Sequence, residues 1–262
     1  MTGVAIITGA ARGIGAATAR ALAEAGWSLV LVDRCRPDPA LPYALSTPDD
    51  LAAVVADSGG AERAVGVEAD VRDQEALDAA VALAVSTFGG LDAAVAAAGC
   101  IIGGPRAWET GEDAWSTMLG VNLEGVWRLS KAAVPALLDR PEPRHGRFVA
   151  ISSSGGSDGL PLLAAYVAAK HGVNGLVRSL AAELGPLGVT ANAVAPGSTR
   201  TSMLEASAAV YSLTSVEAFT EHHLLGRLLE PSEVAALVAW VCSPASSGVT
   251  GAVLPVDAGM TA

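Results

Sequence analysis

The sequence predicts one α/β domain of three layers, a doubly wound parallel sheet with helices on both faces, and three observations carry that prediction. Short β-branched runs alternate with longer alanine-rich stretches along the chain, and parallel strands need crossover connections of this kind. A glycine-rich turn, Thr8-Gly9-Ala10-Ala11-Arg12-Gly13-Ile14-Gly15, joins the first strand-like run to the first helical one. The 262 residues are 51% hydrophobic and 16% charged, enough apolar material for one large core, with no Pro- or Ser-rich linker to divide it.

In order, the β-branched run 4–8 predicts a strand, 13–25 a helix and 28–33 a second strand, which together make a βαβ unit. A helix near 48–57, a strand near 64–68, a helix over about 73–88 and a strand at 91–97 continue the alternation. A long helix is expected over roughly 112–138, then a strand at 147–152, a helix around 164–184 and a strand at 189–195. A helix after Pro231 and a last strand near 252–256 complete the series.

Two stretches break the rhythm. The insertion at about 35–48, between Asp33 and the next helix, holds three prolines before Pro48 and exceeds the usual length of a strand-to-helix loop. It follows a strand's carboxyl end, where ligands bind in open α/β sheets. The second stretch, about 199–227, mixes Met203, Leu204, Tyr211, Leu213, Phe219, Leu224 and Leu225 with polar residues. Its position suits a lid that buries an apolar substrate and expels water, against the plainer reading of a helical pair packed on the body.

A formal charge of -11 with no basic run argues against a nucleic-acid partner. The apolar run 93–102 is too short for a membrane span. Residues 1–3 lead straight into the first strand without a cationic and apolar leader, so a cytoplasmic location is expected. The three cysteines, Cys35, Cys100 and Cys242, match neither a disulfide framework nor metal-ligand spacing. The four histidines also lack ligand spacing, and no metal site is expected.

Glycines at 9, 13 and 15 after a strand and before a helix make a dinucleotide site of the Rossmann type, with Arg12 and Ile14 between them in the turn. Glycine lets the backbone turn sharply and approach a pyrophosphate, whose charge faces the helix amino terminus. Asp33 lies eighteen residues after Gly15, where a carboxylate accepts hydrogen bonds from ribose hydroxyls and repels a 2′-phosphate. NAD is therefore expected over NADP, although Arg34 beside it offers a partner for that phosphate. Asp70 and Val71 are placed to flank the adenine, with capping of the next turn as the plainer role for Asp70.

Tyr166 stands four residues before Lys170, so both lie on one helix face. An ammonium beside the phenol favours its ionised form, which brings proton exchange toward neutral pH. Ser153, thirteen residues before Tyr166, is positioned to hold a substrate oxygen against that phenol. Leu160, Leu162, Leu163 and Trp108 fall in loops expected to border the pocket, and Trp127 and Trp240 read as core or interface.

Taken in order, Thr8-Gly-x-x-x-Gly13-x-Gly15, Asp33, Asp70, Ala98-Gly99, Asn122, Ser153, Tyr166-x-x-x-Lys170, Pro196-Gly197 and Thr201 resemble the short-chain dehydrogenase/reductase family across essentially the whole chain. The resemblance implies that Asn122 is a fourth catalytic residue, bending its helix and holding a water that links Lys170 to solvent. It implies that Pro196, Gly197, Ser198 and Thr201 meet the nicotinamide end, with Thr199 a weaker candidate for the carboxamide. It also implies a homotetramer built on the helices near Asn122 and Tyr166. One departure is plain: Ala96-Ala97-Ala98-Gly99 lacks an asparagine that helps tie the central strands in many relatives. The insertion is similar to that of a subgroup associated with the redox cofactor mycofactocin, whose extra loop covers NAD while electrons leave through another carrier.

Together these readings predict an NAD-dependent oxidoreductase that interconverts an apolar secondary alcohol and its ketone. An NADPH-dependent 3-oxoacyl thioester reductase shares every catalytic residue and is the first rival. A non-catalytic NAD-binding sensor is the rival of another class.

Overall fold

In the computed structural model, which describes residues 3–262, the strands are almost continuously apolar because both faces of the sheet are covered. They are β1 (Val4–Thr8), β2 (Ser28–Asp33), β3 (Ala64–Glu68), β4 (Ala93–Ala96), β5 (Arg147–Ile151), β6 (Thr190–Pro196) and β7 (Val253–Val256). Among the described residues they form one parallel sheet in the order β3-β2-β1-β4-β5-β6-β7. The order reverses between β1 and β4, and that switch opens a crevice at the carboxyl edge. Met1 and Thr2, part of the expectation about the amino terminus, lie outside the described residues.

The helices are α1 (Gly13–Glu24), α2 (Pro48–Asp57), α3 (Gln74–Phe88), α4 (Glu112–Leu119), α5 (Gly125–Leu138), α6 (Ala164–Leu184), α7 (Ser202–Val210) and α8 (Pro231–Cys242). Local chemistry sets several ends. Thr47 and Asp50 form a reciprocal capping box with Pro48 at the first position of α2. Asp73 caps α3, which Gly89 terminates in a left-handed conformation. One core layer packs Ile6, Val30, Leu129, Phe148 and Val173, and the other packs Ile7, Leu29, Leu31, Val149 and Val238.

The long helix expected over 112–138 is interrupted. Gly120–Glu124 adopt the wider π-helical winding between α4 and α5, with Asn122 inside it. The resemblance implies a bend at Asn122; what the structure has there is this wider winding, from which the Asn122 amide bonds to Cys100 in the loop after β4. The strand expected at 91–97 is trimmed to Ala93–Ala96, where pairing with both β1 and β5 is available. Among the described residues, no helix is long and apolar enough to cross a membrane, and no group of ligating side chains could hold a metal.

Candidate active site

A cavity of about 710 Å³ runs along the switch-point crevice from the β1 turn to α7. Its near end is formed by Gly9, Arg12, Gly13, Ile14 and Gly15. Gly9 has φ +67°, and a Cβ there would lie 2.6 Å from Ala98. A Cβ on Gly15 would lie 2.0 Å from the Gly9 carbonyl oxygen. Only glycine fits either position, so the turn stays tight and backbone is exposed to the cavity at the α1 amino terminus, the arrangement that receives a diphosphate.

Asp33, Asp70, Val71, Ala98 and Gly99 line the next stretch. Asp33 accepts from the Ala11 amide at 2.9 Å and from the Ser46 hydroxyl. Arg34, offered by the sequence as a phosphate partner, is instead paired with Asp38 and lies 3.5 Å from Asp70. Asp70 takes the capping role: it accepts from the Arg72 amide at 2.9 Å and from its guanidinium at 2.6 Å. Arg72, which sequence reasoning missed, also pairs with Asp38 at 2.8 Å.

The insertion closes over this half of the cavity. The Ile101 amide donates to the Tyr43 hydroxyl at 2.9 Å, and Arg12 Nη2 donates to the Ala44 carbonyl at 3.0 Å. Leu41 and Tyr43 pack with Ile101, Met118 and Tyr166. A loop that begins beside the nucleotide-side strands is thereby fastened to the wall opposite.

Ser153, Tyr166 and Lys170 converge on the far wall, at the end of β5 and on one face of α6. Lys170 Nζ lies 5.7 Å from the Tyr166 ring centroid and donates to the Ile151 carbonyl at 2.8 Å. Burial pushes the phenol pKa of Tyr166 up, with hydrogen bonding from Ser153 acting against it. Burial also presses the Lys170 ammonium down to about 8. The expectation that an ammonium beside the phenol brings its proton exchange toward neutral pH is corrected on this point: burial moves the phenol up and the ammonium down.

Asn122 does not line the cavity; it is fully buried behind it. Its Oδ1 accepts from the Cys100 amide at 3.2 Å, and its Nδ2 donates to the Cys100 and Met118 carbonyls, each at 3.0 Å. The amide to which the resemblance assigns a proton relay ties the loop after β4 to the helix. A Cβ on Gly99 would lie 3.1 Å from Asn122 Oδ1 and 4.0 Å from Lys170 Nζ, so the two groups flank that glycine.

Pro196, Gly197, Ser198, Thr199 and Thr201 form the floor. Thr201 caps α7 and Thr199 donates to the Gly197 carbonyl at 3.0 Å, so both hydroxyls have local partners. Met203, Leu204, Tyr211, Leu213 and Phe219 line the cavity beside Leu160, whereas Leu224 and Leu225 point to solvent. Tyr211 donates to the Pro161 carbonyl at 2.8 Å, tying the 199–227 segment across the cavity mouth. Trp108 is 78% exposed and stands off the pocket. Trp127 and Trp240 are also exposed, so the core half of their expected role does not hold.

Of the histidines, His223 has a defined structural task. It accepts from the Ser198 amide at 3.1 Å through Nε2, with Nδ1 2.6 Å from the Arg227 carbonyl. The cysteines are free and buried; Cys100 borders the cavity, but burial pushes its thiol up to about 12.

Comparison with known proteins agrees with this geometry. The family model described as enoyl-(acyl carrier protein) reductase matches residues 9–261. An uncharacterized oxidoreductase of Mycobacterium tuberculosis is 39% identical, the match covering 98% of this chain and 95% of that protein. A (-)-trans-carveol dehydrogenase of Rhodococcus erythropolis is 37% identical, covering 98% and 97%. Among solved structures, carveol dehydrogenase from Mycobacterium avium in complex with NAD superposes with TM-score 0.91 at 38% identity, covering 98% and 97%. On this fold, this cavity and these relatives, the chain belongs to the short-chain dehydrogenase/reductase family and is an alcohol/ketone oxidoreductase.

Proposed function

We propose that the protein is an NAD-dependent enzyme that interconverts an apolar secondary alcohol and its ketone, with Tyr166 as the proton-transferring residue. The observation that carries this reading is one cavity joining the β1 glycine turn to Ser153, Tyr166 and Lys170. The side-chain-free cradle at Gly9 and Gly15 fits a diphosphate, and Asp33 at the end of β2 fits a ribose diol. The relatives' carveol dehydrogenase activity and the NAD bound in one of them support the cofactor and the kind of substrate.

When bound, NAD supplies the hydride acceptor and a positively charged ring that favours the ionised phenol. Gly9, Arg12, Gly13, Ile14 and Gly15 would hold its diphosphate, Asp33 its ribose, and Asp70, Val71, Ala98 and Gly99 the adenine side. Pro196, Gly197, Thr199 and Thr201 would face the nicotinamide end. In the oxidative direction Tyr166 takes the substrate hydroxyl proton, and Ser153 donates to the developing oxygen charge. Lys170, whose Nζ lies 5.7 Å from the Tyr166 ring centroid, would favour the phenolate when charged and bind ribose. Asn122 holds the Cys100 backbone against the helix, which keeps this wall in place. Leu160, Tyr211, Leu213 and Phe219 match an apolar substrate and exclude water.

The strapped insertion supports a cofactor that exchanges slowly, and with it delivery of electrons to an external carrier such as mycofactocin. Trp115 and Trp127, 41% and 47% exposed on α4 and α5, support assembly through those helices into a homotetramer. Mass spectrometry of the purified protein tests the cofactor reading: NAD released on denaturation but not under native conditions is expected, and a protein that retains and binds no dinucleotide contradicts it.

A further inference from the structure

Four charged side chains meet at the adenosine end of the cavity. Asp38, in the insertion, pairs with Arg34 and lies 2.8 Å from Arg72 Nη2, while Asp70 holds Arg72 at 2.6 Å and lies 3.5 Å from Arg34 Nε. All four line the cavity beside Asp33. Asp38 is the most enclosed, its side chain 6% exposed against 20% for Arg34 and 32% for Arg72. Its other oxygen accepts from the Ala40 amide at 3.0 Å. Burial pushes this carboxyl up, but the Ala40 amide and the two guanidiniums outweigh it and hold the group below its usual range, so it is charged at neutral pH.

The two arginines would otherwise suit a 2′-phosphate. Guanidinium is the preferred partner of phosphate oxygens, and Arg34 follows directly on the ribose-binding candidate Asp33. Here two carboxylates cancel two guanidiniums and Asp33 leaves the cluster with one negative charge. We propose that Asp38 determines nucleotide selectivity by masking Arg34 and Arg72, so that discrimination against NADP depends on the insertion as well as on Asp33. The proposal rests on the reading of this cavity as the NAD site. Selectivity and covering are then properties of one loop, because the residue that neutralises the arginines also anchors the strap's first turn.

The test is competition at equilibrium. Wild type, Asp38→Asn, Arg34→Gln and the double variant are each incubated with equal concentrations of NAD+ and NADP+ until the bound composition stops changing. The protein is then separated, denatured, and both nucleotides are quantified. Asparagine keeps an oxygen for the Ala40 amide but removes the charge. The bound NADP:NAD ratio is expected to rise at least tenfold in Asp38→Asn and to fall back when Arg34→Gln is added, while Arg34→Gln alone leaves the ratio within twofold of wild type. A purely structural role for Asp38 lowers both nucleotides together, and an unchanged ratio overturns the proposal. Equal loss of NADP from Arg34→Gln in both backgrounds also overturns it, since Arg34 would then be unmasked already. A wild type that retains neither nucleotide, or prefers NADP, overturns the NAD reading itself and is distinguishable from both.

Discussion

Replacing Tyr43 with phenylalanine removes one oxygen and leaves the ring in its packing. The Ile101 amide donates to that oxygen at 2.9 Å, and Ile101 is only 4% exposed. With the strap closed, Tyr43→Phe leaves this amide buried without an acceptor, at a cost of about 1–3 kcal/mol; with the strap open, water satisfies it. The open state therefore gains about 5- to 150-fold in population. If the strap gates the nucleotide, release accelerates by the same factor. Protein loaded with NAD is mixed with excess isotopically labelled NAD, and bound label is followed by mass spectrometry. Tyr211→Phe, which cuts a bond on the substrate side, serves as the control and leaves nucleotide exchange within twofold. Exchange in Tyr43→Phe that matches wild type refutes the strap.

Other outcomes follow from the same geometry. Gly15→Ala places a methyl group 2.0 Å from the Gly9 carbonyl, so the first turn must shift; NAD retention by the purified protein is expected to fall at least tenfold, as read by quantifying extracted nucleotide. Asn122→Ala orphans the Cys100 amide and two carbonyls and should destabilise the fold by about 2–4 kcal/mol in urea titrations, with turnover lost in proportion to the displaced wall. Lys170 provides a pH test. Burial lowers its pKa from the ordinary 10.5 to about 8, so between those values the unfolded chain holds a proton that the folded chain has lost. Stability then rises with pH over that window, by about 3 kcal/mol at most. Tyr166, whose pKa is raised, acts oppositely above about pH 10. The stability of wild type minus that of Lys170→Met should grow from about pH 8 to about pH 10, and a flat difference contradicts the burial argument.

Most of the element order is legible in the sequence because most strands are short apolar runs, those at the centre of the sheet buried on both faces, and the helices are alanine-rich stretches between turn residues. The long segment containing Asn122 is harder, because a π-helical winding keeps helical periodicity nearly intact; the pattern reads as one helix, and only the family resemblance points to an irregularity at Asn122. In the site, residues held by backbone geometry read well: the glycines have no room for a Cβ, and Ser153, Tyr166 and Lys170 keep fixed intervals. Partnerships across the cavity do not. Arg34 and Asp38 are only four residues apart, but in an irregular loop that spacing implies no contact; that Arg72 joins them from beyond β3, or that Tyr43 reaches Ile101, depends on links across the fold that periodicity does not encode. The pKa expectation failed for a related reason: a four-residue interval reports proximity but not burial, and here burial dominates.

In the proposed reaction Tyr166 moves the substrate proton while hydride passes to NAD. This reaction is tested most directly by single-turnover formation of NADH on the purified holoprotein, which does not depend on cofactor exchange, using carveol and cyclohexanol as probe alcohols. Wild type should show a burst of NADH absorbance with at least one probe. Tyr166→Phe, with the same NAD content, should be slower by about 100- to 10,000-fold. A Tyr166→Phe burst at the wild-type rate, or a wild type that forms no NADH with any secondary alcohol, contradicts the account.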